Sequence, residues 1–184
     1  MKSLTVNNQP VTGSLASVAK ANQQSLAETF IGADVIVLID TSASMIGDRY
    51  QKACAELAQL QNTLPGRIAV ISFSTEPIFC PSGIPQEPSA ATDLAKALRF
   101  AKIADIGDMR FIVISDGEPD SESEALKVAA QYSGRIDVIY VGPEGGPGAA
   151  FLQRLARAHG GQAITSENAK ELAAAARFLL SSGG

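Results

Sequence analysis

The stretch "VLIDTSASM" (residues 37–45) indicates the fold class, because it joins a short apolar run to a polar loop. Val37, Leu38 and Ile39 are branched apolar residues of the kind that fill β-strands. The run is apolar at every position, which is typical of a strand covered on both faces. It ends on Asp40, and hydroxyl-bearing residues follow. The end of this strand therefore predicts either a helix cap or a binding site.

Further apolar runs follow along the chain and are separated by segments of helical spacing. We predict buried strands at 34–40, 67–74, 110–116 and 135–142, and short strands at 75–83 and 162–165. Helices are predicted at 50–64, 91–104, 121–132, 149–158 and 168–180. Pro77 and Pro81 place the 75–83 strand at a sheet edge, because each proline removes a ladder donor. The alternation predicts an α/β fold with a doubly wound, mostly parallel sheet and helices on both faces.

The length and composition favour one main domain. The 184 residues are 46% apolar and 18% charged, which is typical of a globular protein with its own core. The alternation of strands and helices covers residues 34–184. Residues 1–33 do not fit it and form an N-terminal extension, with an amphipathic helix expected at 14–30 and a hairpin or tail at 4–12.

The charge and the cysteines exclude several classes of partner and site. The net charge of -4 comes without a basic run, so we expect no nucleic-acid partner. Cys54 and Cys80 are too few for a disulfide framework and lack zinc-site spacing, which favours a reducing compartment. No segment is apolar enough for a signal-peptide core or a membrane span. We therefore expect a soluble, cytoplasmic protein with no membrane partner; its oligomeric state stays open.

Polar side chains cluster where the predicted strands end. Asp40 and Asp116 each close a buried strand, and ligands bind at the carboxyl ends of strands in an open α/β sheet. Ser42 and Ser44 follow Asp40 at alternate positions and so share one face of the turn. Thr92 opens a helix at the same edge. These oxygen-only side chains, with Arg49 as the nearest cationic residue in sequence, predict a site for Mg²⁺, Mn²⁺ or Ca²⁺ and not for zinc.

These segments together resemble a known family. "DTSAS" at 40–44, "ATDL" around Thr92 and "ISDGEPD" around Asp116 are similar to the three loops of the metal-ion-dependent adhesion site (MIDAS) of von Willebrand factor type A domains. The resemblance covers residues 34 to about 181 and is to stand-alone domains of the bacterial or phage type. It includes an antiparallel third strand at the sheet edge. One departure is Ala91, where the family often has glycine before the threonine.

The resemblance implies a Rossmann-like fold and a role for each site residue. Ser42, Ser44 and Thr92 would coordinate the metal directly, and Asp40 and Asp116 directly or through water. One coordination position would remain for an acidic residue (Asp or Glu) of a partner protein. A hard cation held mainly by neutral hydroxyls keeps much of its charge and attracts an external carboxylate. The expected function is metal-dependent protein docking without catalysis.

Simpler interpretations exist for each motif. If the two carboxylates do not lie close together in the fold, Asp40 is explained as an ordinary helix cap. Asp116 with Gly117 is then explained as an ordinary turn. Thr92 is expected to cap its helix in either case. Glu118 and Asp120 are expected to be solvated loop residues, and Asp93 to interact with a helix dipole. The glycine-rich segment 141–151 lacks a phosphate-loop pattern, and His159 is expected about 15 Å from the site, too far to form a catalytic pair with a serine.

Two other functions remain open from the sequence. One is Mg²⁺-dependent phosphoryl transfer with Asp40 as nucleophile, as in haloacid-dehalogenase phosphatases. Those enzymes use a second aspartate two positions later, where this chain has Ser42. The other is an interaction protein with a vestigial metal site that binds through residues 1–33 or the last helix. In the family this last helix changes conformation, so residues 168–181 are a candidate switch.

Overall fold

The computed structural model describes residues 30, 32–106 and 108–165 of the 184-residue chain. The chain divides into two units, Met1–Ile31 and Gly32–Gly184, and the fold below is that of the second. The helix and hairpin predicted within residues 1–33, and the helix predicted at 168–180, lie outside the described residues. The assignment of residues 1–33 as an extension stays a prediction.

The described residues form one six-stranded sheet flanked by helices. The strands are β1 (Val35–Asp40), β2 (Ile68–Phe73), β3 (Pro77–Cys80), β4 (Arg110–Ser115), β5 (Ile136–Tyr140) and β6 (Ala163–Thr165). The α-helices are α1 (Asp48–Thr63), α2 (Leu94–Ala101), α3 (Glu122–Ala129) and α4 (Pro147–Ala158), with short 3₁₀ helices at Ala43–Met45 and Lys102–Ala104.

The sheet order is β3-β2-β1-β4-β5-β6. Every neighbouring pair is parallel except β2 with β3, which is antiparallel. The predicted doubly wound, mostly parallel sheet with an antiparallel edge strand is therefore confirmed. Pro77 lies at the first position of β3, opposite Phe73, where a missing N–H is tolerated at a sheet edge.

The strand β1 forms the centre of the core. All six of its residues are buried, and Leu38 pairs with Ile71 of β2 and Val113 of β4. One face of the strand packs under α1, where Ala53, Leu57 and Leu60 are buried. Burial on both faces explains why the apolar run has no alternation.

All four described helices begin one to three residues from the predicted positions, and for two of them the structure shows the cause. The helix α2 begins at Leu94, because the side chain of Asp93 accepts a hydrogen bond from the Lys96 N–H at 2.9 Å and caps it. The expectation that Thr92 caps this helix is wrong, and Asp93 does more than interact with the dipole. The helix α4 begins at Pro147, which suits the first turn because its missing N–H needs no partner there.

Within the part of the chain that the structure describes, no helix has the length and apolar character needed to cross a bilayer.

Candidate metal centre

The direction in which successive strands are added to the sheet reverses between β1 and β4. From β1 the chain continues to β2 on one side, and it later returns to β4 on the other side. The crevice at the carboxyl ends of two such strands is where ligands bind in open α/β sheets. Asp40 is the last residue of β1, and Asp116 directly follows β4. Both predicted carboxylates therefore lie at the point of reversal.

The first loop turns two hydroxyls toward each other. Asp40 and Ser42 are fully buried, and the Asp40 Oδ1 accepts a hydrogen bond from the Ser42 N–H at 2.9 Å. The Ser42 Oγ lies 3.0 Å from the Oγ of the exposed Ser44. The N-cap of α1 is Gly47, so Asp40 does not cap that helix. The structure thus does not support the interpretation of Asp40 as an ordinary cap.

The second loop, residues 89–93, is tied to the first by backbone hydrogen bonds. The Ala43 N–H donates to the Ala90 oxygen at 3.0 Å, and the Ser89 N–H donates to the Thr41 oxygen at 2.7 Å. Thr92 follows and is only 6% exposed. Among the described residues, its backbone takes part in hydrogen bonds and its hydroxyl in none. A hydroxyl without a partner among the described residues is available to a ligand.

The third loop, residues 116–120, is tied to the second by a reciprocal pair. The Thr92 N–H donates to the Asp120 Oδ1 at 3.2 Å, and the Asp120 N–H donates to the Thr92 oxygen at 2.9 Å. Asp120 is exposed, as expected, but it also links two loops. Asp116 is fully buried, and its Oδ1 accepts the Glu118 N–H at 3.3 Å. The loops that carry the five predicted residues are thus joined into one unit.

Ser115 belongs to the site as well, although no sequence motif indicates it. Its hydroxyl donates to the Asp40 Oδ2 at 2.6 Å and accepts from the Gly117 N–H at 2.9 Å. It therefore connects the carboxylate at the end of β1 with the loop after β4. The available signal was one polar residue within the apolar run "FIVIS".

Arg49 forms the second contact that the sequence did not predict. Its Nη1 donates to the Asp116 Oδ2 at 2.8 Å and to the Ser44 backbone oxygen at 3.2 Å. The Arg49 side chain is 34% exposed and that of Asp116 is fully buried. A guanidinium in the first turn of α1 thus compensates the buried charge of Asp116.

The burial of Asp40 raises the pKa of its carboxyl from 3.8 to about 6. Hydrogen bonds from Ser115 and Ser42 oppose this increase, and the negative charge of Asp116 adds to it. Burying a carboxylate is costly unless positive charge or hydrogen bonds compensate it. The carboxylate of Asp40 is therefore stabilised by any cation that binds beside it.

The donors at this edge fit a small, hard cation. They are two buried carboxylates and three hydroxyls, from Asp40, Asp116, Ser42, Ser44 and Thr92. Oxygen donors of this kind suit Mg²⁺, Mn²⁺ and Ca²⁺. Among the described residues, no group of three or more histidine, cysteine, aspartate or glutamate side chains is placed to hold a metal. The site therefore depends on the hydroxyls.

Other candidate groups lie away from this centre. His159 ends the helix α4, and burial lowers the pKa of its imidazole. The start of the same helix contacts the Asp116 loop, so about 15 Å of helix separates His159 from the site. The glycine-rich segment 141–151 contributes to a separate cavity of about 240 Å³ whose lining includes Glu144 and Gln153. The carboxylate of Glu144 in this lining disfavours a bound phosphate.

No family model matches this sequence, and no curated protein matches it. Solved structures do match. An aerotolerance-related membrane protein from Bacteroides fragilis is similar with a TM-score of 0.61 and 18% identity, over 80% of this chain and 98% of that chain. The manganese-loaded TRAP protein from Plasmodium vivax is similar with a TM-score of 0.61 and 19% identity, over 78% of this chain and 72% of that one.

A von Willebrand factor type A protein from Catenulispora acidiphila is similar with a TM-score of 0.62 and 17% identity. The match covers 80% of this chain and 42% of that one. The order of the strands, the antiparallel edge strand and the flanking helices agree with this similarity. At these identities the similarity concerns the fold. The chain has the von Willebrand factor type A fold.

Proposed function

We propose that this protein is a metal-dependent protein-binding module without catalytic activity. Asp40, Ser42, Ser44, Thr92 and Asp116 hold Mg²⁺, with Mn²⁺ or Ca²⁺ as alternatives, in the manner of a MIDAS. The metal keeps one coordination position for an aspartate or glutamate of a partner protein. We expect a cytoplasmic location, because two cysteines are too few for a disulfide framework.

One observation carries this proposal. Hydrogen bonds join three separate loops at the carboxyl ends of β1 and β4 into one unit with two buried carboxylates. The Ser42 and Ser44 hydroxyls lie 3.0 Å apart, and Thr92 has a hydroxyl that donates to no described residue. The Thr92 hydroxyl is thus a positioned oxygen that a metal can use without breaking a hydrogen bond to a described residue.

The charge of this donor set favours an external acidic ligand. The three hydroxyls are neutral, and Asp40 and Asp116 bind the cation directly or through water, so the cation keeps much of its charge. Mg²⁺ prefers six oxygen ligands, so positions remain for water or a partner side chain. A carboxylate is the ligand that such a cation attracts most strongly among protein groups. The exposed Ser44 marks the side from which a partner has access.

A structural neighbour supports the choice of metal. The Plasmodium vivax TRAP protein, which has a similar fold, is described as manganese-loaded. Mn²⁺ and Mg²⁺ both accept octahedral oxygen sites. We therefore expect both ions to bind the described donors.

The phosphoryl-transfer alternative gains no support from the geometry. Both oxygens of Asp40 accept hydrogen bonds, from the Ser42 N–H and from the Ser115 hydroxyl, and the residue is fully buried. A nucleophilic carboxylate needs an accessible oxygen and a neighbouring acid–base group. Turnover of an aryl phosphate with Mg²⁺ that disappears in Asp40→Asn would favour the enzyme over the binding module.

Calorimetric titration of Mg²⁺ into the metal-free protein tests the proposed site. Thr92→Val keeps the size of the side chain and removes the hydroxyl, and it leaves the Asp93 helix cap intact. We expect this variant to bind Mg²⁺ at least tenfold more weakly than the wild type. Thr41→Val is the matched control, because the Thr41 hydroxyl donates to the Phe73 oxygen at 3.1 Å. Equal Mg²⁺ affinities for the wild type and Thr92→Val would contradict the proposed ligand set.

Copurification tests the docking function. Proteins that bind the wild type in Mg²⁺ are expected to be lost in EDTA and in Asp40→Ala. Proteins retained in both conditions would instead support the alternative in which the metal site is vestigial.

A further inference from the structure

We infer that Arg49 is an internal competitor for the divalent cation: its guanidinium holds Asp116 in the metal-free protein and weakens metal binding. The inference rests on the proposed metal site. It concerns a residue that the ligand set does not include.

The geometry places the guanidinium between two of the site loops. The Arg49 Nη1 lies 2.8 Å from the Asp116 Oδ2 and 3.2 Å from the Ser44 backbone oxygen. The Asp116 Oδ1 accepts the Glu118 N–H at 3.3 Å, so both carboxylate oxygens already have protein partners. A cation that uses Asp116, directly or through water, therefore shares or displaces the contact with Arg49.

The position of Arg49 in its helix is otherwise unfavourable. It is the second residue of α1, where the helix dipole is positive and cationic side chains are disfavoured. Local helix preference therefore gives no reason for an arginine here. The ion pair with the buried Asp116 supplies one, because an uncompensated buried carboxylate destabilises the fold.

The burial of this ion pair distinguishes it from the surface pairs. The Arg49 and Asp116 side chains are 34% and 0% exposed, whereas those of Arg67 and Asp34 are 59% and 38% exposed. Burial reduces screening by solvent, so the contact acts more strongly on Asp116 than a surface pair does. For the same reason, a fixed positive charge beside the donor set repels an incoming divalent cation.

Arg49 thus has opposite effects on the two states of the site. In the metal-free protein it compensates one of two neighbouring carboxylates and stabilises the loops. When the cation arrives, the same charge opposes its binding. The metal concentration needed to fill the site is then higher than it would be for the same oxygen donors without Arg49.

Arg49→Gln removes the charge from a side chain that is not fully buried, so we expect the variant to fold. Arg67→Gln is the matched control, because it removes the same charge from an ion pair with Asp34, beside the amino end of β1. We expect Arg49→Gln to bind Mg²⁺ roughly tenfold more tightly than the wild type in calorimetric titration. Its melting temperature in EDTA should be lower than that of the wild type. Arg67→Gln should bind Mg²⁺ with wild-type affinity.

Unchanged or weaker Mg²⁺ binding by Arg49→Gln would overturn the inference, and weaker binding would show that Arg49 supports the site. In both cases the proposed metal site would stand, because the wild type still binds Mg²⁺. Absence of Mg²⁺ binding in both proteins would contradict the proposed function and the inference together.

Discussion

At the scale of single residues, the site contains a buried carboxylate kept in place by a backbone N–H and a hydroxyl group. Asp40 is fully buried, and burial raises the pKa of its carboxyl to about 6. Ser42 and Ser115 each donate a hydrogen bond to one of its oxygens. These bonds hold the carboxylate in one orientation without neutralising it. The negative charge at the end of β1 therefore remains available to a cation.

Ser115→Ala tests the role of this support. The substitution removes the donor to the Asp40 Oδ2 and the acceptor of the Gly117 N–H. We expect the free energy of unfolding in urea to fall by about 1–3 kcal/mol, because a buried N–H and a buried carboxylate lose their partners. Mg²⁺ affinity should fall as well. A variant with wild-type stability would show that Ser115 does not support Asp40.

The pKa of Asp40 predicts how stability depends on pH in the metal-free protein. The pKa is raised from 3.8, so the stabilisation from protonated Asp40 is fully present below pH 3.8 and is lost as pH rises through about 6. Asp40→Asn cannot ionise. The free energy of unfolding of Asp40→Asn minus that of the wild type should therefore increase by about 3 kcal/mol when the pH is raised from 3.5 to 7.5. Urea denaturation in EDTA measures both values. A difference that does not change with pH would contradict this account.

The sequence predicted some features of the site better than others. The spacing of Asp40, Ser42 and Ser44 is local, and their arrangement follows from one turn. The contact between Arg49 and Asp116 joins residues 67 positions apart, and an arginine in a first helical turn gives no signal of its partner. Ser115 was missed because a serine in a buried strand is equally consistent with a packing role.

At the scale of the elements, the site depends on how helix α4 packs. Gly148 lies in the first turn of α4. A Cβ there would be 1.9 Å from the Asp116 backbone oxygen and 2.8 Å from the Gly117 Cα. Only glycine allows the helix to approach the loop after β4 this closely. The helix therefore supports the loop that carries Asp116.

Gly148→Ala should disturb both the fold and the site. The added methyl group collides with backbone, so we expect a loss of about 1–3 kcal/mol in the free energy of unfolding, with weaker Mg²⁺ binding. Gly145→Ala is the control. Gly145 has a φ of 68° and open space around a Cβ, so its substitution should cost about 1 kcal/mol and leave Mg²⁺ affinity unchanged. Equal Mg²⁺ affinities for Gly148→Ala and the wild type would show that the packing of α4 does not affect the metal site.

Element boundaries were predictable where burial decides them. The strands β1, β2, β4 and β5 fall within the predicted runs, because strands buried on both faces are apolar throughout. The start of α2 was not predictable in this way. Ser89, Thr92 and Asp93 are all good capping residues, and tertiary contacts of the 89–93 loop select Asp93.

At the scale of the whole molecule, the fold explains why distant residues meet. The order β3-β2-β1-β4-β5-β6 places the ends of β1 and β4 side by side, although 75 positions separate Asp40 from Ser115. The alternation of strands and helices predicted this class of sheet. The fold does not by itself establish metal binding, which depends on a few oxygen atoms at one edge.

Metal binding should stabilise the whole domain. A ligand that binds only the folded state at 100 times its Kd adds about 2.7 kcal/mol. For a chain of this length we expect the melting temperature to rise by about 5–10 °C in saturating Mg²⁺. Differential scanning calorimetry with Mg²⁺ and then EDTA measures the change. A similar rise in Thr92→Val would assign the effect to a different site.

The most direct test is anomalous diffraction from crystals of the wild type grown with Mn²⁺. The proposed site predicts one strong anomalous peak at the carboxyl ends of β1 and β4, within about 2.3 Å of the hydroxyl oxygens of Ser42, Ser44 and Thr92. An ordered Mn²⁺ elsewhere, or none at this edge at saturating Mn²⁺, would contradict the proposed metal centre.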